Sequence, residues 1–205
     1  MIDSEIPAGR VLSKGLSELG LNTSVAECHA RYRGRIFAEC VSEIETLLGR
    51  KVPDTWLDQL RREMLAALEA GVPAMPHAHD VLAKLAAANL PLCVASSSGL
   101  PYLQRMLGAA NLLNFFDDRV YSAHSVGRGK PAPDVFLHAA GSLGHAPADC
   151  IVIEDSVPGV CAAVAAGMRV LGYASDDYSD AAKLAAHGAE IIRDLSDIPK
   201  RIGLA

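Results

Sequence analysis

Three polar clusters in the 205 residues have the types and spacing to hold parts of a phosphate ester or a metal ion. The apolar run Leu92-Cys93-Val94-Ala95 ends in Ser96-Ser97-Ser98-Gly99. Hydroxyls and turn amides at a strand end, just ahead of a helix, can hold an anion by donated hydrogen bonds and by the positive helix terminus. Read alone, the same residues are also a polar turn with a serine helix cap. The second cluster is Lys130, in Gly127-Arg128-Gly129-Lys130-Pro131-Ala132-Pro133-Asp134. A residue before proline favours extended backbone, and Pro133 suits a helix's first turn, so the ammonium can reach sideways as a point charge. A solvated surface lysine is the plainer alternative. The third is Glu154-Asp155, directly after the apolar Cys150-Ile151-Val152-Ile153. Adjacent carboxylates at the end of an interior strand repel and desolvate each other unless a cation or donors compensate, and a hard ion such as magnesium suits them. Asp155 or Ser156 could instead only cap the next helix. Together the clusters supply a phosphate clamp, a neutralising cation and a magnesium site, the electrostatic parts of phosphoryl transfer.

The elements that must position these residues fall into two kinds. From about Val11 to Ala70 the pattern is helical, with Val41, Ile44, Leu47 and Leu48, then Trp56, Leu57, Leu60, Met64 and Leu68, at spacings of three and four. From Pro76 onward strand and helix alternate. Short apolar runs at Leu90–Ala95, Arg119–Ser122, Cys150–Ile153, Val170–Tyr173 and Ala189–Ile192 are separated by helical segments near His79–Ala88, Pro101–Leu107, Pro133–Leu143, Pro158–Ala166 and Ala181–Ala186. Such alternation predicts right-handed βαβ units, a Rossmann-like parallel sheet with helices on both faces. In such a sheet ligands bind at the carboxyl ends of the strands, where all three clusters lie.

Composition narrows the function class. A net charge of −5 leaves no basic stripe for a nucleic acid backbone. The uncharged stretch Leu85 to Gln104 is broken by Asn89, Pro91, Ser96, Ser97, Ser98, Gly99 and Pro101, which argues against a membrane span. The opening Met1-Ile2-Asp3-Ser4-Glu5 is acidic where a secretory signal needs positive charge. Five cysteines, Cys28, Cys40, Cys93, Cys150 and Cys161, form no C-x-x-C pair, so a reducing, cytoplasmic setting is expected. No strand-helix junction carries G-x-G-x-x-G, which disfavours a dinucleotide-dependent reductase. His29, His79, His124, His138, His145 and His187 show no ligand spacing and are expected at the surface or partly packed.

The segments Val94-Ala95-Ser96-Ser97-Ser98, Gly129-Lys130-Pro131-Ala132-Pro133-Asp134-Val135-Phe136 and Val152-Ile153-Glu154-Asp155-Ser156-Val157-Pro158-Gly159-Val160 resemble the second, third and fourth motifs of the haloacid-dehalogenase superfamily, nearest to its β-phosphoglucomutase and phosphoglycolate-phosphatase-like branch. The resemblance implies an α/β core over 1–10 and 76–205, with a helical cap over 11–75. It implies that Ser96, with Ser97 in the same turn, binds the substrate phosphate. Lys130 would stabilise the phosphate and an aspartyl intermediate, and Asp155 would ligate Mg2+ with Glu154 assisting. The activity implied is a magnesium-dependent phosphatase of small phosphorylated metabolites, of the sugar-phosphate or phosphoglycolate type. Mutase chemistry and 2-haloacid dehalogenation are less favoured, the latter because it needs no metal pair such as Glu154-Asp155. Substrate choice would fall to the cap, which closes over the site and excludes water. There Arg33-Gly34-Arg35, in a break between helical segments, could reach an anionic substrate.

Two departures stand out. Met75-Pro76-His77 stands where relatives usually carry Pro-Gly, with His77 expected only as a turn residue. The family's first motif, D-x-D-G-T/V, which carries the nucleophilic aspartate, has no counterpart, and Asp3 aligns after it. A catalytically dead remnant that binds phosphate or metal is therefore the rival reading. In the family the first strand is central, so its neighbours would face a gap with unpaired backbone groups at about 1–3 kcal/mol each. Total stabilities are only about 5–15 kcal/mol. The expectation is that the natural protein starts upstream of Met1. Intact mass of protein purified from its native source checks this: a mass above 21.6 kDa by roughly fifteen residues, a strand and a loop, is expected. A mass equal to Met1–Ala205 contradicts it.

Overall fold

The computed structural model describes residues 1–2, 5–32, 35, 37–69, 71–175 and 180–204. Four helices come first: α1 (Glu5–Glu18), α2 (Val25–Tyr32), α3 (Phe37–Leu48) and α4 (Asp54–Glu69). Pro7 sits in the first turn of α1, where a missing N–H costs nothing. Helix α1 thus begins within the span expected to lie in the α/β core. The four helices close on Leu12, Leu16, Cys28, Tyr32, Ile44, Trp56 and Leu60, and Trp56 Nε1 donates to the Gly15 carbonyl at 3.1 Å. His29, expected at the surface or partly packed, is buried in this core. Gly9 makes room for it, since a Cβ there would lie 2.3 Å from His29 Nε2.

The remainder alternates as the sequence pattern predicts: α5 (Ala78–Ala87), β1 (Val94–Ser96), α6 (Leu100–Ala109), β2 (Val120–Ser122), α7 (Asp134–Leu143), β3 (Ile151–Glu154), α8 (Val157–Ala165), β4 (Arg169–Tyr173), α9 (Ala181–Ala186), β5 (Glu190–Ile192) and α10 (Ile198–Arg201). All strand pairs are parallel, with Ser96 opposite Ser122 and Glu154 opposite Gly172. Val81 and Leu85 of α5 pack with Leu171, Tyr173, Ile192 and Ile198, whereas Val135 of α7 and Val160 of α8 pack with Val152 and Val170 on the opposite face. The alternation of Leu171 and Val170 to opposite faces is the two-residue period of a strand.

The described residues form two sheets, β1-β2 and β3-β4-β5, with no strand between β1 and β3. Yet the halves share their flanking helices. Val94 packs with Leu82 of α5 and Ile153 packs with Val81 and Leu85 of the same helix. Ala95 and Val152 both meet the α7 side. A cavity of about 1210 Å³ is lined by both strands and reaches the helical cap. Its effect is visible in β1, half-buried throughout, and in Ile151, which is 38% exposed. Strand β4, paired on both sides, is buried at four of its five residues.

The two crossings between cap and core meet at the rim. Ile2 bridges Ala74 in antiparallel fashion, and Met75 N–H donates to the Met1 carbonyl at 2.8 Å. His77, just beyond, holds a left-handed backbone (φ 64°) ahead of α5, with Nε2 3.6 Å from Asp194 Oδ2.

All five cysteines are free thiols. Burial pushes Cys28 and Cys93 up to about 11 from 9.0. Between these values the unfolded chain releases the thiol protons and the folded chain keeps them, so stability falls as pH rises from 9 towards 11. Urea midpoints measured across that range are expected to decline, and less steeply in a Cys28→Ala, Cys93→Ala double variant.

Candidate functional site

The carboxyl ends of β1 and β3 bring the three sequence clusters to one place. Beyond β1 the chain turns through Ser96-Ser97-Ser98 into α6. Ser96 Oγ accepts from Ser98 N–H at 3.2 Å, and the Ser98 carbonyl accepts from Ser122 Oγ at 2.7 Å. Ser122, buried at the end of β2, thus pins the turn from the neighbouring strand. The helix cap is Gly99, with no side-chain cap hydrogen bond. The turn is therefore not a serine-capped helix start, and the first N–H groups of α6 keep donors for an anion. Ser97 Oγ is buried with no hydrogen-bond partner. A buried hydroxyl left unmet costs free energy, and an anion in this turn would meet it.

Lys130 is not a solvated surface lysine: it is 8% exposed. Its Nζ donates to the Ala95 carbonyl at 3.1 Å, forms an ion pair with Glu154 Oε1 and stands 4.6 Å from the centre of the Phe136 ring. One ammonium thus ties β1 to β3 across the cavity. Glu154, 9% exposed, is met on its other side: Oε2 accepts from Ser156 Oγ at 3.0 Å and from Asp155 N–H at 3.2 Å. These donors belong to the start of α8, whose positive end favours the carboxylate.

Gly159 makes this contact possible. A Cβ there would lie 2.1 Å from the Glu154 carboxylate. The cap of α8 is Ser156, whose Oγ accepts from Gly159 N–H at 3.2 Å. Capping is thus the task of Ser156, not Asp155.

Both oxygens of Glu154 are engaged by protein groups, and Asp155, half-buried at the same strand end, lines the cavity with its carboxylate beside them. Among the described residues no group of three His, Cys, Asp or Glu side chains forms a closed metal cage. One carboxylate with substrate phosphate and water is the kind of partial shell Mg2+ accepts, so the residues fit that ion with Glu154 as support.

In the cap, Arg33 and Gly34 lie outside the described residues, as does Asp3. Arg35 lines the cavity and is held by Glu43, whose carboxyl that bond shifts below its ordinary pKa. Ser122, Gly159 and Phe136 act in the site without having been singled out from sequence. Ser122 had a legible signal, its position at a strand end. The other two are placed by approaches between distant segments.

A family model described as haloacid dehalogenase-like hydrolase matches residues 5–167. A haloacid dehalogenase-like protein of Agrobacterium tumefaciens superposes with a TM-score of 0.85 at 34% identity, over 98% of this chain and 92% of that one. A hydrolase of the same family from Deinococcus radiodurans, solved with bound phosphate and sodium, superposes with a TM-score of 0.81 at 30% identity, over 98% and 90%. The 6-phosphogluconate phosphatase of Escherichia coli K12 is 27% identical over 180 residues, 87% of this chain and 80% of its own length.

Lys130→Met leaves Glu154 buried without its countercharge and is expected to destabilise the fold by about 3–5 kcal/mol, with Glu154→Gln added in the same chain restoring part of the loss. Urea unfolding of both variants checks this. A single variant as stable as the parent would contradict the tie.

Proposed function

The chain belongs to the haloacid dehalogenase-like hydrolases, and from that premise we propose that it hydrolyses small phosphorylated metabolites of the sugar-phosphate or phosphoglycolate type with the help of Mg2+. The observation that carries this is the convergence on one cavity of an unpartnered buried Ser97 hydroxyl, an α6 N-terminus without side-chain cap, and the Lys130 ammonium. Each is a donor, and phosphate is an acceptor on every side.

In this reading the Ser96-Ser97 turn and the amides of α6 grip the non-bridging phosphate oxygens. Lys130, prevented by Glu154 and Ala95 from swinging away, holds positive charge where negative charge accumulates as the phosphoryl group transfers. Donors fixed beforehand need no rearrangement as that charge develops, which is the source of their effect. Asp155 would hold Mg2+, which when bound neutralises phosphate charge. The helical cap covers the cavity and excludes water from the wrong face of the phosphorus.

The family's reaction runs through an aspartyl-phosphate, and no residue of this chain is assigned the nucleophile's part. Lining the cavity at the carboxyl ends of the strands, the described carboxylates are Glu154 and Asp155, and Glu154 is engaged. That favours one second reading, a protein that binds phosphate without turning it over.

Release of inorganic phosphate from a panel of phosphomonoesters separates the two. Mg2+-dependent release, abolished by EDTA and lowered roughly 100-fold or more in Lys130→Ala, is expected. Phosphate binding with no release at enzyme concentrations equal to substrate would leave the second reading in place.

A further inference from the structure

The cap's face of the cavity has one sign of charge. Among the described residues, those of the helical part that line it include two charged side chains, Arg35 and Arg61, and no carboxylate. From the core, Arg105 of α6 joins the same lining. This concentration of cations sits in a chain of net charge −5. Phosphate gripped at the strand ends does not account for Arg35 and Arg61, which line the cavity from the helices that precede the sheet.

The two cap arginines differ in what they are free to do. Arg35 is bound by Glu43, with Arg31 O accepting at 3.2 Å and Glu39 at 3.9 Å. Its donors are committed inside the cap. The Arg61 guanidinium carbon stands 5.2 Å over the centre of the Phe37 ring, and Phe37 lines the same cavity. Stacking of this kind fixes the plane of a guanidinium without consuming its N–H donors. It also pairs with Asp58, one turn away at 3.2 Å, with side-chain exposures of 58% and 60%. Exposed pairs at this spacing are weak, and a guanidinium has five N–H donors. Arg61 can therefore offer a two-pronged face to an anion at little cost.

We propose that Arg61, set in place by Phe37, recognises a second anionic group at the end of the substrate remote from its phosphate, so that phosphorylated acids are preferred over phosphorylated polyols. This rests on the phosphate-ester reading of the site and names its substrate class. A planar carboxylate matches the guanidinium fork and gains two charge-assisted bonds, whereas a hydroxymethyl group offers one neutral acceptor. The cavity, about 1210 Å³, is large enough to span both ends of a six-carbon ester.

The test compares 6-phosphogluconate with sorbitol 6-phosphate, which share a phosphate, a carbon chain and stereochemistry and differ at the far carbon, carboxylate against hydroxymethyl. Calorimetric titration with EDTA present, so that neither ester is turned over, is expected to show the acid bound about tenfold or more tightly, the worth of one charge-assisted bond. Arg61→Met, which keeps an apolar stem over Phe37, is expected to bring the ratio close to one through lost affinity for the acid. Trp56 fluorescence, buried in the cap core, verifies that the variant is folded. Equal binding of the two esters by the parent, or a ratio untouched by Arg61→Met, would overturn the inference and leave the phosphate site standing. Failure of both esters and of inorganic phosphate to bind would overturn the two together.

Discussion

An ammonium and a carboxylate cannot both leave water at Lys130 and Glu154 unless every other donor and acceptor on them is met. The strand ends meet them. Lys130 gives one proton to Glu154 and one to the Ala95 carbonyl, and Phe136 presents its ring face to the same charge. Glu154 takes its remaining bonds from the start of α8, at a distance only a glycine at 159 permits. From this follow the placement of β1 against β3 and of Asp155 at the cavity wall. The lysine also has a fixed position beside the serine turn. A flexible lysine reaching in from solvent would supply the same charge but not the same place.

The half-sheets are held elsewhere by the helices that pack on both. Helix α5 touches one through Leu82 and the other through Val81 and Leu85, and α7 bears on both from the opposite face. Between them runs the cavity, polar at the carboxyl ends of the strands and apolar along its length. In the proposed function such a layout would separate tasks: the sheet would fix the phosphate end, and the four leading helices, built on their own apolar centre around Trp56 and Ile44, would present a differently charged wall to whatever the phosphate is attached to.

Much of this was legible in the residues. The switch from a period of three to four to short apolar runs located the four leading helices and the parallel sheet, because each strand and helix is patterned by local burial. The serine turn and the Glu154-Asp155 pair were legible because each follows an apolar run directly, and in a parallel sheet such positions converge, while Lys130 was legible from its place before Pro131 and a proline-opened helix. What escaped depends on contacts between distant segments. His29 reads as a surface residue until Gly9 is seen to admit its ring. Gly159 reads as a poor helix residue until the Glu154 carboxylate is seen against it. Arg61 lies on the exposed side of an amphipathic helix and gives no signal until Phe37 is placed under it. The choice between a capping serine and a phosphate turn could not be made from sequence, since both use the same residues. Gly99 takes the cap position, which removes the capping serine.

The central claim is that the Ser96-Ser97 turn, Lys130 and Asp155 make one site for a phosphate and its metal. A crystal structure of the protein grown with Mg2+ and inorganic phosphate tests it most directly. The account predicts phosphate lodged between the serine turn, the first amides of α6 and the Lys130 ammonium, with Mg2+ bridging it to Asp155. Phosphate bound away from Lys130, or Mg2+ held by residues that exclude Asp155, would contradict it.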